Sequence, residues 1–193
     1  MLKPIRLSTE NFLVLTILVF SALMRLWNIE SWTFTNDELS AINRVKFDSL
    51  SALFEKGINP DAHPAGTQLL LYYWTKLFGY SEIAVRLPFV FFSLLSTFGI
   101  YLIGKKWVHS HAGLTAATLF AGLGYTVTYS ILARPYALGT FAIIWALFFW
   151  TKLIRTTPKS PFLNYLGLSI FMALCAYTHY FAATTASFIY LIG

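Results

Sequence analysis

No aspartate or glutamate follows Glu82 in this chain of 193 residues; after Glu10, the acids Glu30, Asp37, Glu38, Asp48, Glu55, Asp61 and Glu82 are confined to positions 30 to 82. A hydrocarbon solvent enforces such confinement, because an ionised carboxylate at bilayer depth costs roughly 2.5 to 3.5 kcal/mol. Charge of either sign is scarce at 11%, against roughly 25% in a soluble globular domain, and this excludes a soluble fold. Cysteine is nearly lacking: Cys175 stands alone, which excludes an internal disulfide and a cysteine-based metal cluster. The formal charge of +6 does not gather into a basic stripe interleaved with exposed aromatics, so nucleic acid is excluded as a partner. Internal repeats and low-complexity segments are absent as well.

What is present is apolar: 57% hydrophobic and 18% aromatic. A span of the hydrocarbon core needs about 20 apolar residues. The pattern predicts an all-α, polytopic transmembrane protein with spans at about 12–27, 87–104, 112–132, 136–153, 162–177 and 183–193, the last one truncated. Arg25, Leu26 and Trp27 replace a small-residue cleavage site, so the first span reads as an uncleaved anchor. Lys3 and Arg6, then Lys105 and Lys106, then Lys152, Arg155 and Lys159 fall on alternate turns, which places those turns in the cytoplasm. The loop at 30–86 is then extracytoplasmic, and the spacing predicts two amphipathic surface helices in it. One runs from Asp37 to Lys56, with a Thr35–Glu38 capping box and Gly57 as its stop. The other runs from Pro64 to Phe78, with Tyr72, Tyr73 and Trp74 at headgroup depth.

Residues able to carry chemistry collect on that outer side. Asp37 and Glu38 are adjacent carboxylates after the first span, able to act as a general base or to hold a cation, or simply to cap a helix. Arg86 and Arg134 can each clamp a phosphate bidentately, and for Arg86 snorkelling to headgroups competes with that role. His63, before Pro64, can bind phosphate, ligate a metal or cap a helix, and His179 stands on the next outer turn. His109 and His111 fall on the opposite face.

The order of these motifs resembles the GT-C membrane glycosyltransferases, particularly the bacterial branch of the protein O-mannosyltransferase and aminoarabinose transferase superfamily. The residues that carry the resemblance are Asp37-Glu38, His63-Pro64, Lys76-Leu77-Phe78-Gly79 with Arg86-Leu87-Pro88, Tyr129-Ser130 with Ala133-Arg134-Pro135-Tyr136, and Tyr177-Thr178-His179-Tyr180-Phe181. The resemblance implies a GT-C-like fold in the bacterial plasma (inner) membrane, of which 1–193 is the N-terminal portion. It implies transfer, with inversion, of a sugar from a polyprenyl-phosphate-linked donor to an extracytoplasmic acceptor, which can be a lipid, a protein or a glycan, amid membrane lipids. Asp37 would be the catalytic base with Glu38 beside it, and His63, Arg86, Arg134, Tyr136 and His179 would bind substrate. No cofactor follows with certainty. A divalent metal ion is left open, because Ile131-Leu132 stand where many bacterial relatives carry an acid. The competing reading is a non-catalytic or truncated membrane scaffold or lipid-binding protein of the same fold.

Overall fold

The computed structural model describes residues 8–61, 63–155 and 161–192; Lys3, Arg6 and Lys159 of the charge pattern lie outside the described residues. The described residues form helices and no strand. α1 (Thr9–Leu26), α5 (Glu82–Trp107) and α8 (Pro135–Arg155) have 18, 26 and 21 residues and are long and apolar enough to cross a membrane. Two shorter apolar helices, α9 (Phe162–Thr178) and α10 (Tyr180–Ile192), pack beside α8. α10 therefore starts three residues earlier than the apolar run suggests, directly after His179.

The basic turns meet at one end of the bundle. There Glu10 Oε1 on α1 accepts hydrogen bonds from Lys105 Nζ at 2.7 Å and Ser110 Oγ at 2.5 Å, and the Arg155 guanidinium lies 5.0 Å from the Trp107 ring. The acidic loop covers the opposite end as a cap made of α2 (Asn36–Asn43), α3 (Leu50–Ala52) running into a π-helical turn (Leu53–Ile58), and α4 (Gly66–Phe78). The capping box holds as the sequence suggests, with the Thr35 hydroxyl accepting from the Glu38 backbone N–H at 3.2 Å and Glu38 Oε2 accepting from the Thr35 N–H at 3.0 Å.

The expected helix from Asp37 to Lys56 is instead two pieces. α2 stops at Asn43 so that Val45 turns inward, 1% exposed, to join Ile42, Leu53, Leu71, Val85 and Phe89 in one core. Gly57 is not a helix stop either. It sits inside the π turn, where a Cβ would lie 2.2 Å from the Arg44 carbonyl oxygen, so only glycine admits that approach. Tyr72 is likewise corrected: it is 3% exposed in this core, whereas Tyr73 at 53% remains available to an interface. The cap is thus a small hydrophobic unit seated on α5 and α8.

The third span is also corrected. α6 (Ser110–Gly122) and α7 (Gly124–Ile131) are separated at Leu123, whose backbone is extended. Two flanking glycines weaken the helix there, and a break strands carbonyls that must find donors. Arg25, fully buried on α1, supplies them, donating to the carbonyls of Ala121 at 3.0 Å and Phe120 at 3.3 Å. The same guanidinium donates to the hydroxyls of Ser93 at 2.6 Å, Ser21 at 2.8 Å and Ser130 at 2.9 Å, which ties α1, α5 and α7 together. Each hydrogen bond from a charged donor is worth about 1.5 to 3 kcal/mol. Arg25→Met should therefore lower stability by about 3 kcal/mol or more, read as a fall in the unfolding midpoint of the inserted, detergent-extracted protein. An unchanged midpoint would show that Arg25 does not hold the break.

Candidate active site at the capped end

Adjacent residues in the first turn of α2 face opposite surroundings, because successive helical side chains diverge by about 100°. Glu38 is completely buried and Asp37 is exposed. Glu38 meets Arg86 in a two-pronged ion pair, with Nε to Oε1 at 2.8 Å and Nη2 to Oε2 at 2.9 Å. Arg86 spends its remaining N–H groups on backbone carbonyls: Nη1 on Ile29 and Trp32, each at 2.8 Å, and Nη2 on Thr33 at 3.3 Å. The phosphate-clamp role expected of Arg86 is corrected by this geometry, since a guanidinium has five N–H donors and all are engaged. Glu38 is corrected too. Its Oε1 also takes the Ala133 N–H at 3.2 Å and its Oε2 the Thr35 hydroxyl at 3.1 Å, so it has no capacity left for a reacting proton. Burial alone would raise the Glu38 carboxyl, but Arg86 and the N–H groups of Thr35 and Ala133 outweigh it and hold it below the ordinary carboxylate range.

The pair sets its neighbours in place. Asp37 precedes Glu38, and among the described residues it has no hydrogen bond or ion pair. Arg134 follows Ala133, the residue whose N–H Glu38 holds. Its guanidinium has no carboxylate or hydrogen-bond partner among the described residues, and its Nε–H is buried and unsatisfied. That state is expensive, because an unmet buried donor forfeits about 1 to 3 kcal/mol.

Two histidines complete the group. Gly66 lets the start of α4 press on the end of α9, where a Cβ would lie 2.5 Å from the Tyr177 carbonyl oxygen. This approach brings the His63 and His179 rings to 5.9 Å between centroids. Burial, and then the charges of His63 and Arg134, push the His179 imidazole below its usual value. His63 is braced by Asp61, whose side chain is 9% exposed: Oδ1 lies 3.1 Å from His63 Nδ1, and Oδ2 accepts from the Gln68 amide at 2.5 Å. Burial would raise the Asp61 carboxyl, yet His63, Arg44 and Gln68 together bring it below the ordinary value. Asp61 was passed over in the sequence, although an aspartate two residues before a His-Pro pair is a readable signal.

Next to His179 a cleft of about 440 Å³ opens between α7, α8 and the start of α10, lined by Tyr125, Tyr129, Tyr136, Thr140, His179 and Phe181. Tyr129 lies edge-on to Tyr136 at 5.1 Å, and Tyr136 is 6.4 Å from His179. Among the described residues, no three His, Cys, Asp or Glu side chains are grouped as a cation site would need. His63, Arg134, Tyr136 and His179 are therefore drawn together, Asp37 stands one residue from the buried pair, and Arg86 and Glu38 are withdrawn into the structure.

Residues 62–193 match the family model described as dolichyl-phosphate-mannose-protein mannosyltransferase. No curated protein and no solved structure matches the chain.

Glu38→Gln should cost about 3 to 5 kcal/mol, because it leaves a buried guanidinium without its counter-charge. Arg86→Lys should fare little better, since an ammonium cannot reproduce the fork. The Glu38 carboxyl is held low in the folded state, so its stabilisation is present above the ordinary carboxylate value and drains away as pH falls through the lower, folded value. Acid titration followed by tryptophan fluorescence should show this step in the wild type and lack it in Glu38→Gln. An identical acid transition in both would show that another group controls it.

Proposed function

The chain belongs to the dolichyl-phosphate-mannose-protein mannosyltransferase family, membrane glycosyltransferases that use polyprenyl-phosphate sugar donors, and we propose that it transfers a sugar to an extracytoplasmic hydroxyl acceptor with inversion. The capped end is the extracytoplasmic one in this proposal, because Lys105, Lys106 and Arg155 gather at the other. Asp37 takes the proton of the acceptor hydroxyl, whose oxygen attacks the anomeric carbon from the face opposite the phosphate. The bond from that carbon to the phosphate oxygen breaks, and polyprenyl phosphate departs with the electron pair. A phosphate leaving group needs little acid assistance, so one base and one fixed cation suffice. Arg134 is that cation, with Tyr136, His63 and His179 binding substrate around it.

One observation supports this division of labour above the rest: of Arg86 and Arg134, only Arg134 keeps free donors, one of them buried and unmet. A buried N–H donor without a partner is costly unless a ligand completes it. The divalent ion left open by the sequence has no role in these steps.

In the complete protein, Arg134→Gln should raise the KM for the polyprenyl-phosphate sugar by about tenfold or more, the worth of one charged hydrogen bond, with the acceptor KM unmoved. A change confined to the acceptor would sink the phosphate assignment. Asp37→Asn should cut turnover by a factor of about 10² to 10⁴ without shifting the unfolding midpoint. Full turnover would leave Asp37 with no more than its favourable place in the first turn of α2.

A further inference from the structure

The neighbouring imidazoles of His63 and His179, the second of which lines the cleft, have hydrogen-bond partners that call for opposite tautomers. His179 Nδ1 accepts the backbone N–H of Phe181 at 3.1 Å. Because Nδ1 is the acceptor, the ring proton of His179 resides on Nε2, which is a donor. His63 is the reverse case. Its Nδ1 faces Asp61 Oδ1 at 3.1 Å, and a carboxylate only accepts, so the His63 proton resides on Nδ1. In the neutral ring, Nε2 of His63 is then a lone pair. Asp61 is itself fixed in this orientation, with Gln68 on its second oxygen at 2.5 Å and Arg44 Nε at 3.9 Å.

We propose that His63 and His179 form a hydroxyl-recognition pair, with Asp61 as the positioning residue that fixes the His63 ring as the acceptor half. The ring centroids are 5.9 Å apart with planes at 45°, and His179 lines the cleft, so a donor ring and an acceptor ring stand side by side there. A hydroxyl donates and accepts at once, so it satisfies both nitrogens. A phosphate oxygen, which only accepts, satisfies His179 alone, and an ammonium, which only donates, satisfies His63 alone. The pair therefore selects a sugar or alcohol hydroxyl, while the neighbouring Arg134 is the group suited to phosphate. This rests on the proposed function, in which two hydroxyl-bearing molecules reach the site: the acceptor, and the sugar of the donor. The pair's role in turnover goes with whichever of them supplies the hydroxyl.

The chain has four histidines, so the tautomers are directly readable by nitrogen NMR of [15N]histidine-labelled protein in lipid nanodiscs, with His109→Gln and His111→Gln for assignment. The expected wild-type result is a protonated Nδ1 in His63 and a protonated Nε2 in His179. His109, whose Nδ1 accepts the Ala112 N–H at 3.2 Å, serves as an internal standard for the second form. The same tautomer in His63 and His179 would overturn the proposal without any variant being made. Asp61→Asn should release His63 from its fixed form, leave the His179 signal in place, and raise one KM by about tenfold or more with kcat little changed. A rise for acceptor names the acceptor's hydroxyl, and a rise for donor names the sugar's. A released tautomer with both KM values unmoved overturns the proposal. These signals need no turnover, so a failed Arg134 assignment and a failed histidine pair are told apart.

Discussion

The buried contact between Glu38 and Arg86 is the constraint on which the capped end depends. It gathers four separate stretches of backbone: the exit of α1 through the carbonyls of Ile29, Trp32 and Thr33, the start of α2, the beginning of α5, and the turn before α8 through the Ala133 N–H. Desolvating two charges costs several kcal/mol, and the pair holds because each partner is saturated with hydrogen bonds. Its main effect is spatial. The residue before Glu38 is Asp37 and the residue after Ala133 is Arg134, so one buried carboxylate fixes where an exposed carboxylate and a free guanidinium stand.

Three arginines thus share one chemistry and differ by what surrounds them. Arg25 lies among serine hydroxyls and the stranded carbonyls of a broken helix, with no carboxylate partner among the described residues. Arg86 has a carboxylate and carbonyls for every donor. Both are consumed in holding helices together. Arg25 also conditions the site indirectly: Ser130 and Phe120, which it holds, line the cleft, and the break it stabilises carries Tyr125 and Tyr129 on α7. Arg134 alone keeps its donors for something else.

Much of the fold was legible because hydrocarbon imposes length and exclusion on a sequence. The long apolar helices and the capping box at Thr35 report local or averaged properties, and the structure reproduces them within a few residues. What failed to show was pairing at a distance. Nothing near Arg86 in sequence reveals that its donors end on residues 48 to 57 positions away, so it looked like a ligand for phosphate. The break at Leu123 was hidden for a related reason, since hydropathy runs straight through Gly122-Leu123-Gly124, and the interruption is tolerable because the distant guanidinium of Arg25, with the Thr126 hydroxyl, meets the carbonyls it strands. Tyr72 was misplaced because an amphipathic pattern says that one face is apolar, without saying whether lipid or protein covers it.

The pairing of Glu38 with Arg86 also bears on why two acids stand side by side. A carboxylate that is bound to a guanidinium is a poor proton acceptor, since the pairing favours the ionised form. If Asp37 faced an arginine directly, the attraction would fix its position and weaken it at once in its proposed role as a base. Dividing the two tasks between adjacent residues avoids the conflict: the inward acid takes the ion pair and the positional duty, and the outward acid keeps its lone pairs. The same logic separates Asp61, which spends its charge on orienting an imidazole, from the ring whose far nitrogen remains available. In both places a carboxylate with its hydrogen bonds filled stands beside a group that keeps a lone pair, and the proposed reaction draws on that lone pair.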